Sequence, residues 1–211
     1  MNKIDGLIQT MQEKGFLTSN KVEKAILSTP RHFFVPEEHE QEAYKDRPIE
    51  TKNGQTISQP SVVAHMTELL DIKPGLKILE IGTGSGWQSA IIAKIVEPET
   101  VFTVEKNKEL VEFAKTNHKK ANVKNVKIIH ADGTLGLPDE APFDRIIITA
   151  ACKMIPDNIV NQLSEKGILV APIGKNTQKM YVYQKINHKI IEKHIEDGYV
   201  FVPLVGIKNK D

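Results

Sequence analysis

Apolar positions along this chain fall into two regimes that meet near residue 76. Before that point they recur at helical spacing in three places: residues 2–15, residues 20–28, and a stretch from Pro60 through Val62, Val63, Met66, Leu69 and Leu70 to Asp71. Pro60 suits a first helical turn, where a missing N–H leaves no hydrogen bond unmade. In the second stretch Val22, Ala25 and Ile26 share a face, Asn20 is placed to cap it with Glu23 at the third helical position, and Pro30 lies beyond its end. Residues 30–60 lose the periodicity and are punctuated by Pro30, Pro36, Pro48, Gly54 and Pro60. Loops that long are usually functional or disordered. Phe33, Phe34, Val35, Ile49 and Ile57 argue against disorder.

After residue 76 short apolar runs alternate with amphipathic stretches: strand 77–81, helix 87–96, strand 100–105, helix 107–119, strands 126–130 and 144–149, helix 156–163 and strand 167–173. Such alternation predicts a mostly parallel sheet with helices on both faces. Met180–Lys185 and Lys189–Ile195 flank a short Asn187-His188 turn and predict a C-terminal antiparallel hairpin. The last apolar segment, Tyr199 to Gly206, is too hydrophobic for a free tail. A chain of 211 residues fits one domain, residues 1–75 forming a helical and loop extension and 76–211 the α/β core with its C-terminal segment.

Composition changes this picture little. Forty per cent hydrophobic and 26% charged residues are ordinary for a globular protein, and a net charge of +1 gives no general pull towards nucleic acid or anionic lipid. A single cysteine, Cys152, excludes an internal disulfide and fits a reducing compartment. Met1 to Gly6 lacks an apolar signal core, and no apolar run approaches membrane-spanning length. A soluble, cytoplasmic protein is expected. The basic run Lys115 to Lys120 sits at a predicted helix C-terminus, where cations complement the helix dipole, and is read that way rather than as a nucleic-acid patch.

The chemistry concentrates where the two regimes meet. Lys77-Ile78-Leu79-Glu80-Ile81 runs into Gly82-Thr83-Gly84-Ser85-Gly86, and a helical pattern follows from Trp87. Strand, glycine-rich turn, helix opens a βαβ unit whose backbone can approach a nucleotide closely. A dinucleotide fingerprint would need glycine at position 87, where Trp87 stands. Glycines at alternate positions with Glu80 two places before them resemble the first motif of the S-adenosylmethionine (SAM) methyltransferases. The second strand ends at Glu105, 19 residues after Gly86, where a carboxylate can accept both ribose hydroxyls. The third ends before Asp132-Gly133, an acceptor for an adenine amino group followed by a tight turn. Ala150-Ala151-Cys152 follow the fourth strand, where methyltransferases of amide or adenine nitrogen commonly carry an Asn/Asp-Pro-Pro-aromatic tetrapeptide. Its absence counts against those substrates.

The upstream segments carry a closer resemblance. Arg31-His32-Phe33-Phe34-Val35-Pro36, Ala43-Tyr44-Lys45-Asp46, Gly54-Gln55-Thr56-Ile57-Ser58-Gln59-Pro60, the glycine turn, Ala141-Pro142-Phe143-Asp144 and Phe201-Val202-Pro203-Leu204 occur in order. Together they resemble the protein-L-isoaspartate O-methyltransferase family over about residues 28–206. Trp87 stands where tyrosine is usual, Cys152 where alanine is common, and Arg47 to Asn53 is less glycine-rich than the family's segment. The resemblance implies a Rossmann-like methyltransferase fold and SAM-dependent methylation of the α-carboxylate of L-isoaspartyl residues in damaged proteins and peptides. It assigns Ser58 to the active site and SAM to Glu80, Gly82, Thr83, Gly84, Ser85, Gly86, Gln88, Glu105, Lys106, Asp132 and Gly133. It places the substrate against Thr56, Ile57, Ser58, His65 and Val205. Read locally, the favoured role of Ser58 is a cap for the helix at Pro60, and that of His65 a structural histidine. No catalytic triad or metal-ligand spacing is expected, and a monomer acting on proteins rather than nucleic acid is. SAM-dependent methylation of RNA or a small molecule, and a non-catalytic SAM-binding module, are the competing readings.

Overall fold

The computed structural model describes residues 3–51 and 54–206, so Asn2, where the first helix is expected to start, and Lys52 and Asn53 lie outside the described residues. Three helices, α1 (Lys3–Glu13), α2 (Asn20–Leu27) and α3 (Pro60–Leu69), form the extension, with a two-residue ribbon of β1 (Ile49–Glu50) and β2 (Thr56–Ile57) in the loop between α2 and α3. The core alternates β3 (Ile78–Ile81), α4 (Trp87–Val96), β4 (Val101–Glu105), α5 (Lys108–Lys120), β5 (Val126–His130), β6 (Phe143–Ile148) and α6 (Asp157–Asn161). It ends in three long strands, β7 (Leu163–Gly174), β8 (Gln178–Ile186) and β9 (Lys189–Tyr199). The seven-stranded sheet runs β5-β4-β3-β6-β7-β8-β9, parallel from β5 to β7 and antiparallel thereafter. No described helix is long and apolar enough to cross a membrane.

Burial explains the run-like sequences. Every residue of β3 and β4 is buried, as for strands covered on both faces. α4 is apolar nearly all round because α2 and α3 cover the side that the sheet does not. One hydrophobic cluster runs from Leu7 and Met11 of α1 through Met66 of α3 to Ile78 and Ile147 of the sheet, so the extension and the core share an interior.

Most boundaries shift by one or two residues, and three departures from expectation have a clear physical cause. Ser19, not Asn20, caps α2: its hydroxyl accepts from the Val22 amide, while the Glu68 carboxylate takes the Ser19 amide at 2.7 Å. α6 stops at Asn161 and the next strand starts at Leu163 rather than 167, with Lys166 at a φ of +65° marking the irregularity. The hairpin is longer than the apolar pattern indicates. Asn187 and His188 both take positive φ (51° and 63°), the signature of a tight two-residue turn, and the Glu165 carboxylate accepts both their amides.

Candidate active site

The chain fills the sheet leftwards from β3 to β5, then returns to place β6 on the other side of β3. Ligands of open α/β sheets bind in the crevice that opens at such a reversal, beyond the carboxyl ends of the strands. A cleft open to solvent lies there. The turn after β3, the end of β4, Gly133, Thr149 and Ala150 line one part of it; Gln55 to Ser58 and Val202 to Val205 line the rest.

The glycine turn is held from below. Gly82 takes a φ of +101°, and a Cβ there would lie 2.4 Å from the Thr149 hydroxyl, which itself bonds the Gly82 carbonyl at 2.6 Å. From α5, Asn117 donates to the Ser85 carbonyl at 3.0 Å and His118 Nε2 donates to the Gly86 carbonyl at 2.8 Å. That bond fixes the proton on Nε2, and burial pushes the His118 pKa down. From β4, the Glu105 carboxylate accepts the Gly84 amide at 3.1 Å and the Asn107 amide at 2.9 Å. Each oxygen keeps a lone pair for a further donor.

Ser58 lies at the other wall, directly after β2. It is not the cap of α3. Asp46 takes that role, its carboxylate accepting the Ser61 amide at 2.9 Å, the Ser61 hydroxyl at 2.6 Å and the Gln59 side-chain amide at 3.0 Å. Cofactor-type turn and serine loop therefore share one cleft.

The family described as protein-L-isoaspartate(D-aspartate) O-methyltransferase matches residues 2–209. A protein-L-isoaspartate O-methyltransferase of Methanopyrus kandleri is 43% identical over 203 residues, covering 95% of this chain and 90% of its own. Another, from Pyrococcus horikoshii, is 42% identical over 94% of this chain and 91% of its own. Among solved structures, a Plasmodium falciparum protein described as a protein-L-isoaspartate O-methyltransferase, in complex with S-adenosyl-L-homocysteine, superposes with a TM-score of 0.85. That match has 28% identity and covers 97% of this chain and 99% of that one. The chain belongs to the protein-L-isoaspartate O-methyltransferase family.

In this methyltransferase Gly82, Thr83, Gly84, Ser85, Gln88, Glu105, Lys106 and Gly133 border the cleft, as do Thr56, Ile57, Ser58 and Val205. Four residues expected at the site do not. Glu80 is fully buried beneath the turn, where its carboxyl accepts from the Thr103 hydroxyl, and burial pushes its pKa up to about 8. Thr103 in turn bonds the Thr83 hydroxyl at 2.7 Å, so Glu80 reaches the cleft only through two threonines. Gly86 turns away towards α5. Asp132 caps the 3₁₀ turn at 133–135, accepting from the Thr134 amide and hydroxyl. His65 stacks on Phe16 at 4.5 Å and bonds Glu196 at 2.7 Å, tying α3 to β9.

The supports of the site are absent from the sequence motifs. Thr149 reads as a plain strand end, and Asn117 and His118 as part of a basic run, although these two buried polar residues break the lysine pattern of α5. Arg31 and Asp46 stand in segments that carry the resemblance, with no role attached to either.

Proposed function

We propose that this cleft carries out SAM-dependent methylation of the α-carboxylate of L-isoaspartyl residues in damaged proteins and peptides, the step that starts their repair through a succinimide. The carrying observation is that one cleft joins the glycine turn and Glu105 to the serine loop at Ser58.

The residues present fit SAM. A Cβ-free turn at Gly82 and Gly84 gives close backbone approach, Glu105 offers acceptors for two ribose hydroxyls, and Ile81, Val104 and Leu110 give apolar walls. Thr83, Ser85, Gln88, Lys106 and Gly133 complete that half of the cleft. When bound, SAM supplies a methyl group on a positively charged sulfur, which a carboxylate oxygen can accept. Peptide carboxylates ionise near pH 3.3–3.9, so the acceptor is already an anion at neutral pH and the protein needs no general base. Its task is alignment and exclusion of water. The Ser58 hydroxyl donates to one carboxylate oxygen and orients the other, while Thr56, Ile57 and Val205 hold the flanking peptide.

Residues 1–75 and 76–211 act as one methyltransferase domain, a reading supported by their common hydrophobic interior. We read the protein as a cytoplasmic monomer whose substrates are proteins rather than nucleic acid. A single cysteine fits a reducing compartment, and a net charge of +1 gives no general pull towards nucleic acid. The test uses methyl-labelled SAM with matched isoaspartyl and aspartyl peptides. Base-labile label on the isoaspartyl peptide alone is expected; equal labelling, or none, overturns the assignment.

A further inference from the structure

Among its described residues the loop from residue 43 to Ser58 has little regular structure beyond the β1–β2 ribbon, yet it must present Ser58 in a fixed direction. One side chain replaces the missing secondary structure. Arg31, 1% exposed, donates from Nη1 to the carbonyls of Ala43 (2.8 Å) and Lys45 (3.4 Å), and from Nη2 to those of Arg47 (3.2 Å) and Ser58 itself (3.0 Å). The same guanidinium lies over the Trp87 ring at 5.2 Å, and Trp87, which follows the glycine turn, is anchored by its indole N–H to the Thr29 carbonyl. Asp46 grips the chain just after Ser58, through Gln59 and Ser61, and is held by Lys14. A buried cation and a part-buried anion thus bracket the four residues Ser58 to Ser61.

We propose that Arg31 and Asp46 are positioning residues for methyl transfer, clamping the chain at the Ser58 carbonyl and just after it and tying it through Trp87 to the cofactor turn. This rests on the assignment of Ser58 to the substrate carboxylate. The guanidinium is suited to the task because its planar fork holds five donors in fixed directions on separate nitrogens and here reaches four carbonyls, whereas an ammonium has three donors on one nitrogen. Burial lowers the Arg31 pKa to about 10, so it stays charged at neutral pH. A shift of one ångström in a reacting group can cost on the order of 100-fold in rate without loss of binding.

Arg31→Lys and Asp46→Asn separate this role from plain stability, with Arg31→Gln as a third variant. We expect Arg31→Lys to lower kcat on an isoaspartyl peptide by about 30- to 100-fold, and Asp46→Asn by about 10-fold, on that geometric argument. SAM affinity by calorimetry should stay within about threefold, with a cooperative unfolding transition retained. In a Ser58→Ala background Arg31→Lys should cost almost nothing further. Turnover unchanged in both variants overturns the proposal, as does a fall in turnover matched by the fall in SAM affinity. Should Arg31→Lys slow Ser58→Ala as much as it slows the parent, Arg31 does not act through Ser58, and the proposal fails while the serine keeps its role. Should Ser58→Ala leave turnover intact, the underlying assignment fails first.

Discussion

The Gly84 amide donates to the Glu105 carboxylate across 3.1 Å, so the turn after β3 and the end of β4 form one unit at the mouth of the crevice. The second oxygen of Glu105 is steadied by the Asn107 amide. A carboxylate fixed by two backbone donors needs no reorganisation to meet a vicinal diol.

Replacing Glu105 by alanine is therefore expected to weaken SAM binding by about 10- to 100-fold, the loss of one or two charge-assisted hydrogen bonds. Turnover at saturating SAM should change far less. Calorimetric titration checks this, and an unchanged dissociation constant removes Glu105 from the ribose.

Ser58 and Asp46 are set apart by what their truncation does to stability. Ser58→Ala should reduce turnover by about 10-fold or more while leaving stability within about 0.5 kcal/mol, because it does not cap α3. Asp46→Ala should cost about 1 kcal/mol of stability through loss of that cap. Paired thermal melts and turnover measurements decide it. A destabilised Ser58→Ala would show that the serine supports the helix.

Legibility in the sequence follows the range of the interactions. The parallel core is readable because β3, β4 and β6 are buried on both faces and advertise it as apolar runs. Gly82, Glu105 and Ser58, which family motifs mark locally, all border the cleft. Glu80 and His65 sit inside or beside those motifs but stand back from the cleft lining, because which way a side chain faces depends on Thr103 and Glu196, 23 and 131 residues away. The capping of α3 by Asp46 shows the same effect across 15 residues. Local sequence offers Ser58 as the cap; tertiary structure fills the position from elsewhere.

His118 makes the glycine turn sensitive to acid. Its Nε2–H serves the Gly86 carbonyl while burial holds its pKa below the ordinary 6.5. The unfolded chain therefore binds a proton first as pH falls. Stability from this group is complete above pH 6.5 and is lost as pH falls through the folded value. His118→Gln, which keeps a donor but cannot titrate, should show a smaller drop in urea midpoint between about pH 7 and pH 5 than the parent. Equal drops would exclude His118 as the source.

Glu80 acts in the opposite sense. Its carboxyl is fully buried, Oε2 takes the Thr103 hydroxyl, Oε1 has no partner, and the nearby Glu105 charge adds to the desolvation. With its pKa raised from 4.5 to about 8, the folded protein keeps a proton that the unfolded chain gives up. Stability from this group is complete below pH 4.5 and declines as pH rises, until the carboxyl ionises near 8. Glutamine has the same shape as the protonated acid and no charge to bury. Glu80→Gln should accordingly match the parent near about pH 4 and exceed it increasingly up to about pH 8, the gap widening by about 1.4 kcal/mol at most for each step of one in pH. SAM affinity should change little, since only Thr83 of the Glu80–Thr103–Thr83 chain borders the cleft. Calorimetric unfolding across that range provides the check, and parallel pH profiles for the two proteins would mean that Glu80 is already ionised in the fold.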